Sequence, residues 1–258
     1  MSASATLRIQ IESALANRIP SALTPAPRTI RPVVSTGIAS IDELLTGGFP
    51  LGAIVEIAGA ECSGRTTLAL SFLARIASEG KVCAWIDASD TLHPESAAAA
   101  GVDLARLLWV RCGFVPRPLS RIDQALRVTD LLLQAGGFSA IVLDLGSVAP
   151  EHASRVPLAT WFRYRAAAER TQASILLLTQ HPCAKSSAGL VLHMQAGGPL
   201  AGSPLQDEQT IFTGISHRVE IARERFAPAP TNVIPLRKPP QSERLASWRS
   251  RTAWAGPR

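Results

Sequence analysis

A glycine loop between an apolar strand and a helix constrains this chain more than any other feature. In "AIVEIAGAECSGRTTLAL" (53–70), four residues separate Gly59 from Gly64, and Arg65 and Thr66 follow. This is the G-x-x-x-x-G-K-[ST] phosphate loop with arginine in place of lysine. A strand ending at Gly59 and a helix starting near Thr66 aim several backbone N–H groups at one point, an anion nest at a helix N-terminus. Gly59, Ser63, Gly64, Arg65, Thr66 and Thr67 are therefore candidates for holding the phosphates of a nucleotide. Thr66 stands where a hydroxyl ordinarily ligates Mg²⁺. Arginine is long, planar and forked where lysine is a compact ammonium, so the exchange is not conservative. The plainer alternative is a bare glycine turn.

The rest of the chain alternates apolar runs with amphipathic ones. "AIVEIA" (53–58), "VCAWID" (82–87), "LLWVRC" (107–112), "SAIVLDL" (139–145) and "SILLLTQ" (174–180) read as strands. Helices are expected from Thr66, near 95–100, over 119–135 and over 157–170. Continuous apolar strands separated by helices predict an α/β fold, a mostly parallel twisted sheet with helices on both faces. Two later strands, 190–195 and 216–224, are expected as antiparallel additions. With 47% hydrophobic and 18% charged residues, the chain can bury such a core.

Three regions are expected: a helix and proline-rich linker over 1–32, the α/β core over 33–226, and a basic tail over 227–258 without order. In the first, Leu7, Ile11, Ala14 and Leu15 share a helical face, which docks on the core or on another molecule. The net charge of +6 is local, since residues 232–258 carry Arg237, Lys238, Arg244, Arg249, Arg251 and Arg258 against Glu243 alone. Trp248 and Trp254 interleave with these arginines, a composition suited to protein hot spots or to DNA phosphates. Asp144 closes an apolar strand, where it either approaches the phosphate loop and a Mg²⁺ ion or caps the next turn. The four cysteines and five histidines show no metal-ligand spacing. No apolar run reaches the ~18 residues of a membrane span. Arg8 and Glu12 interrupt any leader-like segment, so a cytoplasmic location is expected.

The ordered motifs resemble the RecA recombinases. The likeness runs through Ser35-Thr36-Gly37, Gly47-Gly48, Pro50, Gly52, the loop, Ile86-Asp87-Ala88 and Gly101-Val102-Asp103. It resumes at Asp144, at Gln180 in "LLLTQ" and at "HRVEIARERFAP" (217–228). The resemblance implies a RecA-like phosphate-loop fold, ATP and Mg²⁺ as cofactors, Thr66 and Asp144 at the metal, and Gln180 beside the nucleotide. It also implies that Arg223 and Arg225 reach a nucleotide held by a neighbouring subunit; an exposed basic sheet edge is the other reading.

The departures from that family point away from turnover. Ser89 stands where the family has a glutamate that polarises water, with Asp90 next to it, and Ser96 stands where a tyrosine stacks on adenine. Loss of a general base costs about 10²–10⁴-fold in rate. The connections at 146–156 and 181–189 are short where the family has DNA-binding loops. The chain is most similar to the short RecA-like proteins of the ImuA type. That likeness implies an accessory role in the SOS response and translesion synthesis, with RecA, an inactive Y-family-like polymerase or an error-prone replicative polymerase as partners. A working DNA-dependent ATPase with a variant loop is the second reading.

Overall fold

The computed structural model describes residues 31–113, 120–201, 212–225 and 245–251, together with Thr6. Apart from Thr6, the helix read over 5–18 lies outside the described residues, as does Trp254. A two-stranded ribbon, β1 (Val33–Val34) with β2 (Phe49–Pro50), flanks helix α1 (Ala39–Leu44). Then come β3 (Ile54–Gly59), α2 (Arg65–Ser78), β4 (Cys83–Asp87), α3 (Pro94–Ala99) and β5 (Leu107–Arg111). They are followed by α4 (Arg121–Ala135), β6 (Ala140–Asp144), α5 (Pro150–Ser154), α6 (Leu158–Thr171) and β7 (Ser174–Thr179). Three strands close the order: β8 (Leu190–Ala201), β9 (Phe212–Glu224) and β10 (Leu245–Arg251).

Eight of these strands form one sheet in the order β10-β9-β8-β3-β7-β6-β4-β5. The six from β8 to β5 run parallel. The apolar strands β3, β4, β6 and β7 are almost wholly buried because helices cover both faces. On one face Ile41, Phe49, Leu68, Phe72, Leu73 and Ile76 pack from α1, β2 and α2. On the other, Ala125, Leu133, Trp161 and Tyr164 pack from α4 and α6, with the Tyr164 hydroxyl donating to the Leu126 carbonyl at 2.6 Å.

Two elements differ from the sequence reading. β8 is parallel to β3, not antiparallel, and only β9 turns back against it. The short connection 180–189 is no hairpin: it crosses from the end of β7 to the start of β8 on the far side of β3. Buried Glu56 holds that crossing, its Oε1 accepting the backbone N–H groups of Cys183 (2.5 Å) and Ala184 (3.1 Å). The second difference is β10, which pairs antiparallel with β9 in the region read as a tail without order. Its pattern alternates about Trp248, which is 8% exposed, while Ser247 and Arg249 face outward. Among the described residues no helix is long and apolar enough to cross a membrane.

Candidate functional site at the ends of the parallel strands

The loop from Gly59 to α2 is shaped by its glycines. Gly64 has φ +91°, the left-handed region, and forms the N-cap of α2. A Cβ there would lie 2.6 Å from Nδ1 of His217, whose ring rests on the loop. His217 is 3% exposed, stacks on Trp248 at 4.7 Å between centroids, and places Nε2 at 2.9 Å from the Ser250 hydroxyl. Burial holds its pKa below the ordinary imidazole value, against the Ser63 carbonyl, which favours the protonated ring. The two C-terminal strands thus cover one side of the phosphate loop.

Arg65 opens α2 and sends its guanidinium toward the ends of β6 and β7. It is 9% exposed, and its Nη2 donates to the Gly146 carbonyl at 3.3 Å. Gln180 Nε2 donates to the same carbonyl at 3.2 Å. Gly146 N–H in turn donates to Asp144 Oδ1 at 2.9 Å. A Cβ on Gly146 would lie 3.0 Å from Asp144 Oδ1 and 3.1 Å from Arg65 Nη1, so a larger residue would press on both the carboxylate and the guanidinium. Burial pushes the Asp144 pKa up to about 6; Asp87 adds to the rise, while the Gly146 N–H and Arg65 oppose it. Burial lowers the Arg65 pKa, offset in part by Asp144 and Glu61.

The structure therefore brings together Gly59, Ser63, Gly64, Arg65, Asp144 and Gln180. Ser63 is 1% exposed, and neither its Oγ nor Arg65 Nη1 has a hydrogen-bond partner among the described residues. Thr66 is exposed and Thr67 half-buried on the first turn of α2. A divalent cation between Thr66 and Asp144 would meet the Arg65 guanidinium across Gly146, at a carboxylate whose Oδ1 is already engaged. No cluster of three or more His, Cys, Asp or Glu able to hold a metal occurs among the described residues. With Arg65 in this place the residues do not fit a resident metal ion.

The carboxylates at and after the end of β4 are engaged within their own surroundings. Buried Asp87 accepts from the backbone N–H groups of Ser89, Thr91 and Leu92 and from Trp109 Nε1. Asp90, at φ +60°, forms a bidentate pair with Arg111, both contacts at 2.6 Å. Arg111 ends β5, the edge strand, so Asp90 is drawn away from β3 across the sheet. Ser96 is exposed and joins His93 in capping α3. A cavity of about 500 Å³ beside Ser89 is lined by Arg121, His152 and Arg155 over apolar Ile122 and Leu126.

The residues read as partner contacts fall elsewhere. Arg223 Nη2 donates to the Lys185 and Ala188 carbonyls, and Arg225 Nη1 to the Ser186 carbonyl at 3.2 Å, so both clasp the chain's own 185–188 segment. Trp248 is a core residue here and not an exposed anchor. Glu56 and His217 were not picked out from the sequence. A glutamate inside the buried run "AIVEIA" was the available signal for the first; His217 opens the family-like stretch 217–228, where no role was read for it.

The strand, glycine loop and helix within a parallel sheet define a phosphate-loop α/β domain. Residues 10–155 match the RecA N-terminal domain family, and the chain belongs to that family. Over 112 residues it is 44% identical to Protein RecA of Allorhizobium ampelinum, covering 43% of this chain and 29% of that protein. Protein RecA of Brucella canis matches at the same identity and coverage. The match thus spans less than a third of those relatives' length. Among solved structures, the RadB recombinase superposes with a TM-score of 0.54 at 21% identity, covering 76% of this chain and 92% of that one. A KaiC-like protein from Pyrococcus horikoshii OT3 gives 0.53 at 19% identity, covering 76% and 89%. These likenesses place the fold.

Proposed function

We propose that this chain is a RecA-like accessory protein of the DNA-damage response that does not hydrolyse ATP. In this reading it is of the ImuA type, serves SOS-linked translesion synthesis in the cytoplasm, and works through contacts with other proteins. One observation carries the reading: Ser89 offers no general base, and the neighbouring Asp90 is committed to Arg111 at the sheet edge. Loss of a positioned base removes about 10²–10⁴-fold in rate. The position of Arg65 supports it too, because a guanidinium fixed on the Gly146 carbonyl does not follow a moving phosphate as a lysine does. The partners that the resemblance to that type implies are a RecA protomer, an inactive Y-family-like polymerase and an error-prone replicative polymerase. The arginine-rich tail with Trp254 serves as one contact and adds DNA phosphates as a further target.

A second reading, a DNA-dependent ATPase with a variant loop, draws on the convergence of Arg65, Asp144 and Gln180. It requires Asp90 to leave Arg111 for the nucleotide. Affinity capture of the full chain from cells with and without DNA damage tests the first reading. Damage-dependent recovery of a polymerase subunit or a RecA protomer supports it. A bait that captures neither contradicts it.

A further inference from the structure

The loop keeps the geometry of an anion site but carries its positive charge in an unfamiliar place. Arg65 Nη2 is tied to the Gly146 carbonyl, which sets the guanidinium plane and leaves Nη1 buried without an acceptor among the described residues. Ser63 Oγ is buried and likewise unpartnered in the same turn. A buried donor without an acceptor is costly, and ligand oxygens supply the missing acceptors. The 14-residue helix α2 starts at the same turn, and no side chain caps its N-terminal N–H groups. An arginine fork matches phosphate oxygens, and its charge does not depend on pH near neutrality. A metal ion at Asp144 would instead confront that guanidinium across Gly146.

We propose that this cradle binds the polyphosphate of a nucleotide without a divalent cation, the Arg65 guanidinium supplying the charge that a metal would otherwise bring. Arg65 Nη1 and the Ser63 hydroxyl donate to phosphate oxygens, and Asp144 balances the arginine without ligating a metal. This proposal rests on reading the loop as a retained nucleotide pocket that does not hydrolyse.

Equilibrium binding of radiolabelled ATP, and separately of inorganic triphosphate, to the full chain tests it in excess magnesium and in excess EDTA. ATP affinity is expected to agree within about threefold between the two buffers, and triphosphate is expected to bind in both. Arg65→Ala is expected to weaken ATP binding in EDTA by about tenfold or more. Arg65→Lys, which keeps charge but loses the fork and its tie to Gly146, is expected to make binding magnesium-dependent. Circular dichroism of each variant reports its folding; should Arg65→Ala not fold, the wild-type chain and Arg65→Lys still decide. Wild-type binding that vanishes in EDTA, affinity indifferent to Arg65→Ala, or no binding of either probe in either buffer overturns the proposal. ATP consumption during the titration would instead count against the non-hydrolysing reading, and the EDTA comparison would still stand.

Discussion

Replacing Trp248 with alanine should destabilise the whole domain, although a basic, proline-flanked segment gives no hint of it. Trp248 is 8% exposed and packs against His217 and the cluster built from α1 and α2. Burying about 200 Å² of indole at about 25 cal/mol per Å² contributes about 5 kcal/mol. The indole Nε1 has no hydrogen-bond partner among the described residues, which offsets about 1–3 kcal/mol of that gain. A net loss of about 2–4 kcal/mol is expected, in the range measured for large-to-small core substitutions. Urea unfolding followed by circular dichroism reads it as a lower midpoint with little change in slope. Ser247→Ala, on the outward face of the same strand, is the control and should stay within about 0.5 kcal/mol of the wild type. If Trp248→Ala behaves like that control, Leu245–Arg251 is not packed as a strand on β9 and the cover over the phosphate loop is wrong.

Three further outcomes are expected. Because the Asp144 pKa is raised to about 6 in the folded chain, its contribution to stability is full below the ordinary carboxylate value and is lost as pH rises to 6. The drop is about 3 kcal/mol at about 1.4 kcal/mol per pKa unit; Asp144→Asn should flatten it in urea titrations run across that window. Glu56→Ala strands the buried N–H groups of Cys183 and Ala184 and should cost about 2–4 kcal/mol, whereas Glu56→Gln, which keeps an acceptor, should cost less by the same assay. Arg111→Ala frees Asp90 at an exposed position, so the unfolding midpoint should stay put and no ATP turnover should appear. Turnover in that variant would show that Asp90 can serve as the missing base.

The parallel core was legible because its strands are continuous apolar runs between helices of clear period. The loop was legible because its glycines and hydroxyls sit at fixed spacing. What could not be read depends on contacts between distant residues. The direction of β8 hinges on Glu56 holding a short crossing, where a brief connection between apolar runs suggests a hairpin. β10 is a seven-residue strand whose single large anchor sits among arginines and prolines, so its composition hides its alternation. At the site, the arginine in the loop was visible, but the goal of its guanidinium depends on Gly146, 81 residues away. Asp90 reads in the sequence as a displaced catalytic base, and its pairing with Arg111 depends on the register of β4 with β5, which sets Arg111 beside Asp87.

The most direct measurement is single-turnover hydrolysis of radiolabelled ATP by the purified full chain, with magnesium and single-stranded DNA present. Release of phosphate at the rate of a no-protein control is the result the proposed function predicts, because Ser89 offers no base and Asp90 is paired with Arg111. Phosphate release well above that control, accelerated by DNA and abolished by Thr66→Ala, would contradict the loss of the catalytic base.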